Sequence, residues 1–299
     1  MLKRMVNAHP LVAITRETHW IPRMVEKHRG VTADGRVTAM LIDRLFEHHR
    51  FEQMKVGREK LEKQLRKCPN LLYSDLVSEI FNQFGRRKDK PLVGDKTPTY
   101  VRKLPTLLAL WPHTRILHLI RDGREVWLSM RNWRMAHKAA GKFASWRTDP
   151  LVTTALWWRA LVSIGRRDAR LLPPTQYLEL RYEDLVGSAE RECDRIADFL
   201  QLPRARSMHR FYEGRTQVGG DLSANAAWLP PVAGRRNWRA EMHQRDVEKF
   251  EAAAGDLLTA LHFERMFPTV SSSVQRQVDE VKQQFTQEVA ARWRLPDTW

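Results

Sequence analysis

Arg121 directly follows the apolar run Thr114–Ile120, and Ser129 lies seven residues after Asp122. The run reads as a buried strand. Arg121 then falls at its carboxyl end, where ligands of open α/β sheets sit. A guanidinium there can fork onto two phosphate oxygens. Asp122 with Glu125 three residues on reads as a capping box opening a helix through Trp133. Ser129 shares a face with the start of that helix and can present its hydroxyl to the same anion. The alternative for Arg121 is an ion pair with Asp122 or Glu125.

Other residues carry weaker signals. Glu17 is a carboxylate that could take a proton if burial raised its pKa toward neutrality. Its plainer reading is an acid complementing a helix N-terminus. Lys96 reads equally as a loop lysine in solvent. Tyr182 and Trp238 are residue types more often found as core or rim aromatics than as stacking platforms. The eleven histidines include His48-His49 but show no metal-ligand spacing.

The elements that must position these groups are set by periodicity. Leu11–Ile14, Leu92–Gly94, Thr114–Ile120 and Gln176–Leu180 read as strands. Residues 1–10 read as a helix end, and 18–51 as mostly helical with breaks at Gly30 and Gly35. Residues 71–84, 151–171, 188–200 and 246–261 have helical patterns. Thr97 before Pro98 reads as a helix cap, and Pro105 splits the helical stretch after it into two short helices. Strands alternating with helices predict an α/β fold with a parallel sheet flanked by helices.

The chain has 299 residues, 42% of them hydrophobic and 29% charged, as in an ordinary folded protein. Lys and Arg outnumber Asp and Glu by 51 to 35, which favours anionic partners. The basic residues are spread along the chain, dense only at 85–90, so no nucleic-acid partner is expected. Two isolated cysteines exclude a disulfide scaffold and a zinc knuckle as expectations. No apolar run is long enough to span a bilayer, and a cytoplasmic location is expected.

Several blocks together resemble the sulfotransferases that use 3'-phosphoadenylyl sulfate. The Arg121-Asp122-Gly123-Arg124-x-Val126-x-x-Ser129 pattern resembles their 3'-phosphate-binding motif. Gly94-Asp95-Lys96-Thr97-Pro98 and Tyr182-Glu183-Asp184-Leu185 resemble two strand ends of the family. Asn7-Ala8-His9-Pro10 and Arg16–Pro22 are similar to a segment of its tyrosylprotein branch, and Gly234–Arg239 to its donor-covering segment. The resemblance covers residues 1–267; 268–299 reads as a linker and a C-terminal helix. It implies a P-loop-type fold and sulfonate transfer to an acceptor hydroxyl or amine, with no metal. It further implies that Arg121 and Ser129 bind the 3'-phosphate, Tyr182 sits near the adenine, and Arg235 or Arg236 closes over the phosphates. Glu17 matches the branch's general base, and Lys96 matches a lysine near the transferring group.

The family opens with a strand and a Gly-Thr-Thr-type loop that grips the 5'-phosphosulfate. Here Met1–Met5 corresponds to the helix just past that loop, and no glycine precedes Gly30. The expectation is a chain without that strand and loop, binding donor weakly and turning over poorly. Two other functions compete: a related P-loop kinase, and a basic polyanion- or nucleic-acid-binding protein without catalysis. The acceptor class is left open by the sequence. The C-terminal helix is expected to dock on its own core, with a homodimer contact as the alternative.

Overall fold

The computed structural model describes residues 1–133, 137–138, 140–141, 143–213, 230–231, 236–290, 293–296 and 299. In chain order its helices and strands begin with α1 (Leu2–Ala8), β1 (Val12–Ile14), α2 (Trp20–Glu26), α3 (Ala39–Phe46) and α4 (Arg58–Lys67). They continue with α5 (Tyr73–Arg86), β2 (Leu92–Gly94), α6 (Leu104–Leu110), β3 (Ile116–Ile120), α7 (Gly123–Met130) and α8 (Ala144–Thr148). Then come α9 (Pro150–Ala169), β4 (Tyr177–Arg181), α10 (Tyr182–Gly187), α11 (Ala189–Leu200), α12 (Trp238–Glu241), α13 (Gln244–Ala260) and α14 (Ser272–Ala290). The α/β class with parallel sheets flanked by helices is as expected. β1 pairs parallel with β2, Val12 opposite Leu92, and β3 pairs with β4.

The chain divides into two compact units. The first comprises Met1–Ile116, Pro173–Leu178 and Ser188–Pro231; the second comprises Leu117–Leu172, Glu179–Gly187 and Val232–Trp299.

In the first unit, Trp20, Leu41, Leu45, Phe51, Tyr73, Leu76 and Ile80 form the core. Trp20 meets Phe51 edge-on at 5.4 Å, a favoured aromatic geometry. The helical stretch expected over 18–51 is two helices with a turn between them. Gly30 and Gly35, both at φ +80°, make that turn, where a side chain would be strained. A Val31–Val37 bridge closes it. Helix α4 was not expected, because only Leu61 of its ten residues is buried and no apolar period announces it. Helix-favouring residues form it instead, with Glu62 facing both Arg58 and Arg66. Pro98 and Pro105 do open two short helices, a 3-10 turn over Pro98–Arg102 and then α6.

In the second unit, α9 forms the centre. Asp149 caps it by accepting from the Val152 N–H at 3.0 Å, and Pro150 holds its first position. It buries Leu151, Val152, Ala155, Leu156 and Trp158 in one cluster with Val247, Phe250, Leu257 and Leu258 of α13. The apolar row Val274, Val278, Val281, Phe285 and Val289 of α14 is buried in the same cluster. The C-terminal helix therefore docks on its own chain.

Candidate functional site

In the first unit, β1 and β2 run side by side, and the segments leaving their carboxyl ends hold Glu17 and Lys96. Thr15 N–H donates to the Gly94 carbonyl at 2.9 Å, continuing the pairing by one residue. Beyond it the two segments are joined by side chains. Thr15 Oγ1 donates to Asp95 Oδ2 at 2.9 Å. The Thr18 N–H donates to Thr97 Oγ1 at 3.0 Å, and the Thr18 hydroxyl lies 2.7 Å from the Tyr100 hydroxyl. Thr97 was expected to cap the helix after it; its hydroxyl serves Thr18 instead, and no side-chain cap forms. Upstream, Asn7 Oδ1 accepts from the Ile14 N–H at 2.9 Å, and Lys90 donates to the Asn7, His9 and Val12 carbonyls. The Asn7–Pro10 block is thus a brace for β1.

This frame brings Lys96 Nζ to 2.5 Å from Glu17 Oε1. The other oxygen, Oε2, lies 3.2 Å from His19 Nε2 and 3.5 Å from Arg50 NH1. Arg50 and Gln53 also donate to the Glu17 carbonyl. His19 sits in the left-handed region at φ 58°, a conformation costly for a non-glycine residue. Its Nδ1 lies 3.3 Å from Thr99 Oγ1.

Burial pushes the Glu17 carboxyl up, but the hydrogen bond and charge of Lys96, joined by His19, outweigh it and hold the group below the ordinary glutamate value. Burial therefore does not lift Glu17 toward neutrality, which is what its role as a base was expected to require. Glu17 also precedes α2 by three residues, so it is not a first-turn acid. Lys96 is an ion-pair partner rather than a lysine in solvent. Lys3 belongs to the same neighbourhood: burial, then Lys96 and Arg16, lower its pKa to about 8.

In the second unit, β3 ends at Ile120 and Asp122 caps α7 by accepting from the Arg124 N–H at 2.9 Å. The reciprocal half of the expected capping box is absent. Glu183, in the first turn of α10, accepts from the Asp122 N–H at 3.0 Å. Glu125 instead receives both Nε and NH2 of Arg121, at 3.1 and 2.7 Å. Of the two readings of Arg121, the ion pair with Glu125 is formed. Its guanidinium also lies 4.6 Å from the centre of the Tyr182 ring. Arg121 precedes α7, but its guanidinium meets Glu125 in the first turn, and Ser129 lies four residues further on, on the helix face that Glu125 occupies. Ser129 is half-buried, and its hydroxyl makes no hydrogen bond among the described residues. Arg236 donates to the Leu128 carbonyl at 2.8 Å, one peptide from Ser129. Arg235 lies outside the described residues.

Sequence reasoning missed the support under α7. Arg124 is buried, with NH2 2.7 Å from Asp122 and NH1 2.7 Å from Glu251. It also stacks 3.6 Å from the Trp238 ring, which makes Trp238 a core aromatic. Glu251 further accepts from the Met266 and Phe267 N–H groups. A signal for it existed: position 251 falls on the apolar face of α13 between Val247 and Ala254, where a carboxylate requires a partner. His19 and Arg50 left no such signal.

Among the described residues there is no cluster of His, Cys, Asp and Glu able to hold a metal, and no helix long and apolar enough to cross a membrane.

The sequence profile of the sulfotransferase family matches residues 1–206. The omega-hydroxy-beta-dihydromenaquinone-9 sulfotransferase of Mycobacterium bovis is 31% identical over 133 residues, covering 42% of this chain and 31% of that protein. Protein-tyrosine sulfotransferase A of Caenorhabditis elegans is 24% identical over 203 residues, covering 68% of this chain and 47% of that protein. The chain thus spans less than half the length of these relatives. Among solved structures, the sulfotransferase domain of the curacin biosynthetic pathway superposes with a TM-score of 0.50 at 20% identity, covering 99% of this chain and 93% of that one. The sulfotransferase domain of a Synechococcus olefin synthase gives 0.52 at 18% identity, covering 99% and 90%. At such identities the superpositions speak for the fold, and the profile match for descent: the chain belongs to the sulfotransferase family.

Proposed function

We propose that the chain transfers a sulfonate group from 3'-phosphoadenylyl sulfate to an acceptor hydroxyl or amine. The observation that carries this reading is the Glu17–Lys96 pair, a proton acceptor and a cation drawn together from distant parts of the chain. When bound, the nucleotide supplies the sulfonate and a 5'-phosphate leaving group, so the acceptor–sulfur bond forms as the sulfur–phosphate oxygen bond breaks. Glu17 takes the proton of the acceptor. Lys96 places positive charge where the equatorial oxygens gather negative charge. As Lys96 turns from Glu17 to that work, the carboxylate loses the contact that depresses its pKa and becomes a stronger base.

The second unit supplies groups of the right type for the donor. Arg121, just before α7, is a forked cation, and Ser129 of α7 is a half-buried hydroxyl on the helix face that Glu125 occupies. These residues would hold the 3'-phosphate, with Tyr182 at the adenine and Arg235 or Arg236 over the phosphates. Glu125 already holds Arg121, so the donor shares or displaces that contact. The proposed compartment is the cytosol, supported by Cys68 and Cys193 both being free thiols.

The test is calorimetry of adenosine 3',5'-bisphosphate with the chain, followed by transfer of labelled sulfonate to phenol acceptors. Saturable binding that is lost in Arg121→Ala supports the reading. Binding that is absent, or indifferent to Arg121, sinks it.

A further inference from the structure

We infer that Trp158 and Glu183 are positioning residues, which clamp the peptide between Arg121 and Asp122 at both of its ends and so aim the Arg121 guanidinium at the nucleotide's 3'-phosphate; this rests on the donor binding proposed above. The clamped peptide belongs to no regular element, because β3 ends at Ile120 and α7 begins at Gly123. Its two polar groups find side chains instead. Trp158 Nε1 donates to the Arg121 carbonyl at 3.0 Å, and the Asp122 N–H donates to Glu183 Oε1 at 3.0 Å. Trp158 comes from α9 and Glu183 from the first turn of α10, so two elements far apart in sequence grip one peptide. A peptide is a rigid plane, and the chain beside it turns only about ψ of Arg121 and φ of Asp122. Holding the plane at both edges therefore fixes the direction in which the Arg121 side chain leaves the backbone.

The tip of that side chain is steadied in turn by its two bonds to Glu125 and by the Tyr182 ring. A forked cation placed in advance loses less freedom when it meets a phosphate. Packing alone does not account for the two clamping residues. Trp158 is buried against Phe250, ring centres 6.1 Å apart, where a phenylalanine would need no hydrogen-bond acceptor. Glu183 is held at a cost. Its Oε2 is buried without a hydrogen-bond partner among the described residues. Burial, with the charges of Asp122 and Glu125 added, pushes its carboxyl above the ordinary glutamate value despite the bond from the Asp122 N–H. What this costly carboxyl gains is control of the peptide behind Arg121.

Three variants of the whole chain test this: Trp158→Phe, which removes the donor; Glu183→Leu, which removes the acceptor; and Glu183→Gln, which keeps an accepting oxygen. The first readout needs no ligand. The exchange of the Arg121 Nε–H with water is followed by NMR, assigned with Arg121→Ala. The Nε–H of Arg167, held by Asp168 in the same unit, is the control. The second readout is calorimetry of adenosine 3',5'-bisphosphate. Trp158→Phe and Glu183→Leu should each speed exchange at Arg121 and weaken the bisphosphate by about three- to tenfold, the worth of one hydrogen bond. Exchange at Arg167 should stay as in the native chain, and Glu183→Gln should stay near native in both readouts. Unchanged exchange at Arg121, or equal acceleration at Arg121 and Arg167, overturns the inference and leaves two residues that merely support the fold. Native bisphosphate affinity in both disabling variants, with affinity lost in Arg121→Ala, overturns it too. Acceleration confined to Arg121 in a chain that binds no bisphosphate would retain the clamp and defeat the donor reading instead.

Discussion

Lys96 Nζ lies 2.5 Å from Glu17 Oε1, and this contact decides the resting state of the proposed base. A half-buried glutamate alone would drift upward in pKa; with Lys96 beside it the net direction is downward.

Lys96→Met should therefore raise the Glu17 titration midpoint, read by carboxyl-carbon resonance, while transfer falls by roughly 10²-fold or more because charge stabilisation is lost. Glu17→Gln should lower kcat by about 10²–10⁴-fold without abolishing bisphosphate binding. An unmoved midpoint in Lys96→Met would remove the electrostatic account.

The same depression has a sign for stability. Glu17 has a lower pKa folded than unfolded, so its contribution is fully present above the ordinary glutamate value of 4.5 and is lost as pH falls through the lower folded value. Urea midpoints of the native chain and Glu17→Gln, compared at pH 7 and in acid, should converge in acid.

Arg121→Ala should weaken adenosine 3',5'-bisphosphate by about 10²-fold, and Arg121→Lys should fail to restore it, because a fork is replaced by a point charge. Glu125→Gln removes a carboxylate that competes for the same guanidinium. Its expected effect is tighter binding. Calorimetry showing weaker binding in Glu125→Gln would mean that Glu125 serves to aim Arg121.

Gly123→Ala should cost about 1–3 kcal/mol. A Cβ there would stand 2.6 Å from both the Phe250 and Trp158 rings, which are rigid and buried. Chemical denaturation measures this, and an unchanged midpoint would show that the rings can yield.

Glu251→Leu should cost about 3–5 kcal/mol. It removes one partner of buried Arg124 and leaves the Met266 and Phe267 N–H groups without their acceptor. A double-mutant cycle with Arg124→Met isolates the pair from the two amides.

The features legible in the sequence were local. The strand before Arg121, the cap at Asp122, the two helices begun by Pro98 and Pro105, and the apolar row of α14 all depend on near neighbours. Glu17 and Lys96 were named through resemblance, and their direct contact results from the pairing of β1 with β2. The rest depends on where the chain travels between elements. Arg50 reaches Glu17 across 33 positions, and Glu183 takes the Asp122 amide across 61. No periodicity encodes either contact. Helix α4 escaped notice for the opposite reason, being helical by residue preference while burying only Leu61.

The parallel pairing of Val12–Ile14 with Leu92–Gly94 fastens two ends of a long excursion of the chain. Glu17 and the Arg50 and Gln53 groups that hold it lie within that excursion, but the stretches between those contacts can be lengthened, shortened or exchanged while proton acceptor and cation stay in register. Relatives that act on unlike alcohols could thus diverge within that excursion alone, inheriting the reaction unchanged and rewriting only the molecule to which it is applied.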